Sequence, residues 1–391
     1  MIRSIGLHTY EIDDADVAVS EITEGLKDFP LLENTVGIIM CDPEYVESGT
    51  YGALCEALPF TVVGSTSTTQ AVCGEADILV LTILVITSDD AFFEAAMTDE
   101  IQPGNNPLAP TRAAFEAARN KLPSDPKLII LFPPLLADNA GDSYVEAFDE
   151  LCPGVPQFGT LAISDSFAFD NCSTLYNGEA SFTKMSFVLV AGNVNPRFFI
   201  STVNDDDRTP YSGEITKSKE NIVYEINGVS TYEYFESIGL AKDGKLDEGL
   251  QFIPILIDFK KRADYDGIPV VRAIVYLNAN GNAVCRGYMY QNSVFTVINP
   301  TMDAILQSSV ELVERIKEIP DRQVTLIFSC IVRRMIFGAN PTMEATMVRD
   351  ELRCDYPFMF AYAGGEICPT SVRDGKAVNR FHNYSIIACI L

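Results

Sequence analysis

Two spacings of apolar residues alternate along this chain. Asp13–Phe29 places Val17, Val19, Ile22 and Leu26 at helical intervals, behind an Asp13-Asp14 pair suited to cap a helix. Thr35–Cys41 is a continuous apolar run, the mark of a buried strand. A helix over Gly49–Leu58 and a strand ending at Gly64 follow, then a turn at Gly74-Glu75-Ala76 and a long strand over Asp77–Thr87. Phe92–Met97 and Thr111–Leu122 read as helices.

The order then returns. Lys127–Phe132 is a strand, and Ser143-x-x-Glu146 forms a capping box at the head of a helix. A strand ends at Gly159, a turn falls at Gly178-Glu179-Ala180, and Lys184–Ala191 closes the copy. Gly64-Ser65-Thr66 aligns with Gly159-Thr160-Leu161, and the Gly-Glu-Ala turns align once the second copy is given an insertion. This is an internal duplication of a strand–helix–strand–hairpin unit. The tail Thr325–Leu391 fits the same template, with Asn340 capping a helix that starts at Pro341, a Gly364-Gly365 turn, and Asp374-Gly375-Lys376-Ala377 in place of the hairpin turn.

The charged stretch Asn204–Pro210 reads as a junction and divides the chain into residues 1–207 and 208–391. Beyond it come a strand at Ile222–Ile226, a tight turn at Asn227-Gly228 and a short helix capped by Ser230-x-x-Glu233. Three strands are expected at Phe252–Phe259, Val270–Leu277 and Ala283–Tyr290, before the amphipathic helix Met302–Lys317. The pattern predicts an α/β (mixed α+β) protein of two domains, each with mixed sheets flanked by helices.

Composition narrows the function. With 54 acidic against 28 basic residues, the net charge of −26 repels nucleic acid and anionic membranes. No apolar run reaches the length of a membrane span, and Met1–Asp16 turns acidic before a signal-peptide core develops. A cytoplasmic protein with no membrane insertion is expected. The ten cysteines show no paired spacing, so free thiols in small core positions are expected. With two histidines and no clustered cysteines, neither a metal nor a cofactor is implied. No P-loop and no Gly-x-Gly-x-x-Gly follows a strand.

Cys330-x-x-Arg333, Glu344 in the next helix, Gly365-Glu366-Ile367-Cys368-Pro369, and Phe381-His382-Asn383 together resemble the FIST C-terminal domain. The Ile226-Asn227-Gly228 turn, Tyr234, Arg272 and Asn280-Gly281 fit the rest of that domain, and the first half resembles the FIST N-terminal domain. The resemblance spans nearly the whole chain. It implies a sensory domain that binds a small ligand such as an amino acid; it leaves the output open, and a separate signalling output protein could be a partner.

The candidate ligand residues are Cys330, Arg333, Glu366, His382 and Asn383. A guanidinium at Arg333 could hold a ligand carboxylate; surface pairing with one of the many acids is the commoner use of an arginine, and the family resemblance is what favours the ligand role. Glu366, on a glycine turn, could receive an ammonium or be tied by backbone amides. His382 and Asn383 could orient polar groups or each other. Cys330 would form a wall. The alternative is a cysteine-dependent hydrolase or transferase with Cys330, His382 and Glu366 as nucleophile, base and orienter. The hydroxyl run Ser65–Thr69 suits either an anion or an ordinary turn.

Overall fold

The two repeats and the tail fold as one unit used three times. A computed structural model describes residues 1–137, 139–166, 170–202, 207–246, 252–259, 266–354 and 356–391. The first copy runs β1 (Arg3–Thr9), α1 (Ala15–Leu26), β2 (Asn34–Cys41), α2 (Glu44–Glu47), α3 (Thr50–Ala57) and β3 (Thr61–Thr66). It ends with the hairpin β4 (Gln70–Val72) and β5 (Glu75–Asp77), then β6 (Leu81–Ser88). The second runs β7 (Ala91–Met97), α4 (Leu108–Arg119), β8 (Leu128–Phe132), α5 (Gly141–Leu151), β9 (Gln157–Thr160), the hairpin β10 (Thr174–Tyr176) and β11 (Glu179–Ser181), and β12 (Ser186–Gly192).

The third copy starts with β13 (Arg197–Ser201) and then departs into an inserted region. That region holds β14 (Arg208–Lys219), β15 (Ile222–Ile226), β16 (Val229–Ser230), α6 (Thr231–Ser237), the small pair β17 (Ala241–Lys242) and β18 (Lys245–Leu246), β19 (Ile253–Asp258), β20 (Val270–Leu277), β21 (Ala283–Cys285) and β22 (Val294–Ile298). The copy resumes with α7 (Met302–Lys317), β23 (Thr325–Cys330), α8 (Ile331–Ile336), α9 (Met343–Leu352), β24 (Phe358–Ala363), the hairpin β25 (Glu366–Arg373) and β26 (Lys376–His382), and β27 (Ile386–Ile390).

Each copy gives its hairpin to another copy's sheet. The first sheet, β1-β6-β2-β3, is completed by β10–β11 of the second copy. The second, β7-β12-β8-β9, is completed by β25–β26 of the third, and the third, β13-β27-β23-β24, by β4–β5 of the first. Sheet membership therefore crosses the 207/208 division twice. The pairs β2–β3, β8–β9 and β23–β24 are parallel, so their carboxyl ends point the same way within each sheet.

The inner faces of the three sheets share one core, with Met40 and Val63 from the first, Phe132 and Phe158 from the second, and Phe328 and Met359 from the third. The outer faces are covered by α1 and α3, by α4 and α5, and by α7 and α9. Strands buried on both faces read as unbroken apolar runs, which is why β2, β8 and β23 are legible in the sequence. The repeated glycines have a steric cause. A Cβ on Gly64 would lie 1.8 Å from the Ile39 carbonyl oxygen, and one on Gly159 would lie 1.9 Å from that of Leu131. The inserted region forms a seven-stranded sheet, β14-β22-β19-β20-β21-β15-β16, with its own core against α6. It docks on the tail through Val271, Ala273 and Ile298 against Cys330, Val332 and Tyr384.

Several local expectations are corrected. Phe92–Met97 is strand β7, not a helix, because it pairs with β12 from Ala91↔Gly192 to Met97↔Ser186, and these sheet bonds override the helix preference of Glu, Ala and Met. The Ser143–Glu146 capping box does not form: α5 begins at Gly141, and the Ser143 hydroxyl donates to the Ala140 carbonyl. The tail helix α9 begins at Met343 rather than Pro341, and Asn340 accepts the Met343 amide through its backbone oxygen. Of the expected junction, residues 204–206 lie outside the described residues, while Arg208-Thr209-Pro210 open strand β14. The Ser230–Glu233 capping box is formed. Cys73, in the β4–β5 turn, is disulfide-bonded to Cys354 beyond α9, against the expectation of free thiols throughout. Its eight fellows are thiols, mostly buried.

Candidate functional site

Arg333 sits in α8, at the carboxyl end of β23, with no exposed side-chain surface. Its Nη2 lies 2.6 Å from Glu344 Oε1 and its Nε 3.1 Å from the same oxygen. Nη2 also reaches the Ile305 carbonyl and the Ser308 and Ser309 hydroxyls, and Nη1 donates to the Tyr384 carbonyl. Glu344 accepts in turn from Ser309 and Ser329. This closed network joins α7, β23, α8, α9 and the β26–β27 loop. All of its donors face protein acceptors, so Arg333 is an internal tie in this structure. The neighbouring Arg334 reaches Thr69 Oγ1 at 3.0 Å and Asp165 at 2.6 Å.

Glu366 opens β25 and is fully buried. The Ser385 hydroxyl donates to its Oε2 at 2.7 Å, and Oε1 has no partner. Burial holds its carboxyl pKa well above the ordinary value, with Ser385, Arg333 and Cys330 pulling the other way. The Cys330 thiol is pushed up as well, first by burial and then by the Glu366 carboxylate. His382 is opposite Glu366 in the β25–β26 register, yet its Nε2 contacts the Cys368 carbonyl at 3.1 Å and its Nδ1 is unpartnered. Burial, then the positive field of Arg272, lowers its pKa to about 3. Among the described residues, no three His, Cys, Asp or Glu side chains gather into a metal site.

These two groups bias stability in opposite pH ranges. His382 titrates lower in the folded chain than its ordinary value of about 6.5, so its contribution is complete above that pH. It is lost as pH falls towards 3, at about 1.4 kcal/mol per pH unit for one proton. Glu366 titrates higher when folded, so its contribution is complete at acid pH and is lost as pH rises above the ordinary carboxylate range. Glu366→Gln is therefore expected to raise stability at pH 8 while changing little at pH 4, as read by urea unfolding at both values. A gain that does not grow with pH would contradict the protonated Glu366.

Asn383 is the one expected residue, together with Cys330, that reaches a cleft. Its backbone amide donates to the Val271 carbonyl and its Oδ1 accepts from the Ala273 amide, which fixes the tail against β20. The cleft lies at the carboxyl ends of β8, β9, β23 and β24, the end of parallel strands where ligands of open α/β sheets bind. From the three-sheet body come Leu135, Ile163, Ile331, Val332 and Gly364, and from the seven-stranded sheet Phe252, Ala273 and Arg286. Its free interior is only about 20 Å³, room for one or two waters. Phe252 has φ +62°, a strained angle for an aromatic residue, and its carbonyl accepts from the Tyr384 hydroxyl.

Arg286 is the charged cleft residue that the sequence did not single out. It follows β21, and burial lowers its pKa from the usual arginine value. Among the described residues its guanidinium has no carboxylate and no hydrogen-bond partner, in a chain with twice as many acids as bases. Its backbone is held on both sides, by Gly141 N–H to its carbonyl and by its own N–H to the Ala273 carbonyl. Gly287 beside it is required, because a Cβ there would come within 2.5 Å of Arg272 Nε. Below it the buried Arg272–Asp142 pair (2.9 Å) locks β20 to α5, and Asp142 also accepts the Tyr288 amide. In the sequence, the only signal of Arg286 was an arginine just after the Asn280-Gly281 hairpin.

The hydroxyl run is structural where it has partners. Thr66 bonds the Ser173 backbone, and the Ser67 hydroxyl donates to the Tyr362 carbonyl, so these residues stitch the copies together.

The described residues form a mixed α/β chain of swapped sheet units, with a small, largely apolar cleft between the three-sheet body and the inserted sheet. The FIST N domain matches residues 35–229 and the FIST C domain residues 232–369. The chain belongs to the FIST family, whose domains are sensory domains of signal transduction. No curated protein sequence matches it. Among solved structures, cyanuric acid hydrolase from A. caulinodans aligns over 100% of this chain and 99% of its own, at 10% identity and a TM-score of 0.34. Among the described residues no helix is long and apolar enough to cross a membrane.

Proposed function

We propose that this protein is a cytoplasmic, non-enzymatic sensor that takes a small carboxylate-bearing ligand into the cleft between the seven-stranded sheet and the three-sheet body. The observation that carries this reading is Arg286, whose guanidinium has no partner among the described residues and lines a largely apolar cleft. Arg286 is half-buried at the cleft, and a carboxylate is the group that a guanidinium binds in two parallel hydrogen bonds. The carboxylate role first assigned to Arg333 passes to Arg286, because Arg333 is already occupied by Glu344. Cys330 and Asn383 stay in the site as wall and donor, while Arg333, Glu366 and His382 hold the wall from behind.

The closed cleft supplies a signalling step. A ligand larger than a water must part Phe252 and Ala273 from Ile331 and Val332, which moves the inserted sheet against the body. Ligand binding then shifts a closed-to-open equilibrium that an output protein can read. Thermal-shift screening of small carboxylates, amino acids included, tests the proposal. A stabilising ligand is expected whose effect is lost in Arg286→Gln. A hit indifferent to Arg286→Gln, or no hit at millimolar concentration, counts against the reading.

The hydrolase alternative needs an activated thiol. Here Cys330 lies beside a carboxyl rather than an imidazole, and burial disfavours its thiolate. Iodoacetamide is expected to leave Cys330 unlabelled in the folded chain over hours at pH 7.5, as read by peptide mass. Rapid labelling would revive the enzyme reading.

A further inference from the structure

The polar side chains facing the cleft have one property in common. Arg286 can only donate hydrogen bonds. Asn383 spends its acceptor, Oδ1, on the Ala273 amide, which leaves Nδ2 as a donor without a partner among the described residues. Cys330 supplies a thiol kept protonated by burial. The other lining side chains, Leu135, Ile163, Phe252, Ala273, Ile331 and Val332, are apolar. No lining side chain offers a free acceptor. The Glu366 carboxyl, which interacts with Cys330, does not line the cleft: it is fully buried and bonded to Ser385.

We infer that the ligand is a short aliphatic monocarboxylate without an α-ammonium group, bound through Arg286 and Asn383 Nδ2 with its chain against the apolar wall. This rests on the carboxylate reading above and narrows it. An amino acid would place its ammonium in the cleft with no side-chain acceptor to replace the water it gives up. The deaminated acid has no such group, and its hydrocarbon part gains from each methylene that leaves water. The amine role expected of Glu366 has no group in the cleft to perform it.

The test is calorimetric titration of the full chain with straight and branched monocarboxylates of two to six carbons, each beside its α-amino acid and its neutral amide. At least one acid is expected to bind, tenfold or more tighter than both its amino acid and its amide. Arg286→Gln should weaken it at least tenfold. Asn383→Asp keeps the Oδ1 acceptor for Ala273 and replaces the free donor with a carboxylate oxygen. It should weaken the acid and bring the matched amino acid to equal or greater affinity. If an amino acid binds the wild-type chain as tightly as its deaminated acid, and still depends on Arg286, the exclusion of ammonium is overturned and the site stands. If no acid or amino acid binds, or if binding ignores Arg286→Gln while that variant keeps the parental unfolding curve, the site itself is overturned.

Discussion

Arg333→Met is expected to destabilise the protein by about 3–5 kcal/mol, enough to unfold many domains at 37 °C. The substitution leaves Glu344 charged and wholly buried, without its 2.6 Å guanidinium partner. The Ser309 and Ser329 hydroxyls still donate to it but carry no charge. Removing both charges should be far milder. The double variant Arg333→Met/Glu344→Leu is expected to recover at least half of the loss, since a buried ion pair replaced by apolar side chains is often close to neutral. Urea unfolding of the two single variants and the double variant gives the coupling. A ligand-binding Arg333 predicts the reverse: a stable single variant with weakened ligand affinity. That pattern would return Arg333 to the site and remove Arg286 from it.

The second large effect concerns Cys73 and Cys354. Their bond links residues 281 positions apart and ties the hairpin β4–β5, lent by the first copy, to the end of α9 in the third. A crosslink closing so long a loop stabilises by about 5 kcal/mol in the chain-entropy account, an upper figure because the hairpin already packs on α9. Reduction is therefore expected to lower the melting temperature by several degrees or more. Cys73→Ser should show the lowered value with or without reductant. Equal melting of oxidised and reduced wild-type protein would mean that noncovalent packing alone holds the swapped hairpin. A cytoplasmic location would keep this pair as thiols, so the measurement also gives the stability available there.

Much of the scaffold was legible because its signals are local. Buried strands such as Thr35–Cys41 and Lys127–Phe132 are unbroken apolar runs, and α7 carries its apolar stripe at helical spacing. The repeated Gly64 and Gly159 marked equivalent places because both permit the same close approach of parallel strands. β7 was not legible. Phe-Phe-Glu-Ala-Ala-Met has no alternation, and its strand state comes from β12, which lies some ninety residues away in the chain. The first strand of each copy, β1, β7 and β13, lies at a sheet edge with mostly half-buried residues, and edge strands carry the weakest pattern.

The candidate site was legible as a neighbourhood, less so in its parts. Cys330 and Asn383 reach the cleft, whereas Arg333, Glu366 and His382 are buried and do not line it. The pairing of Arg333 with Glu344, eleven residues on, depends on how α8 and α9 pack. That no carboxylate among the described residues pairs with Arg286 depends on how distant segments pack, and no local pattern records that.

By itself, then, the chain determined most of its elements, because each rests on local spacings, and its repeated unit and family, because the same short motifs recur along it. The tertiary structure decided two things. It decided which sheet each hairpin completes, since a short strand pair satisfies its hydrogen bonds equally well in its own copy or in another. It also decided which arginine is tied and which has no partner among the described residues, since a charge is neutralised by distance in space rather than by position in sequence.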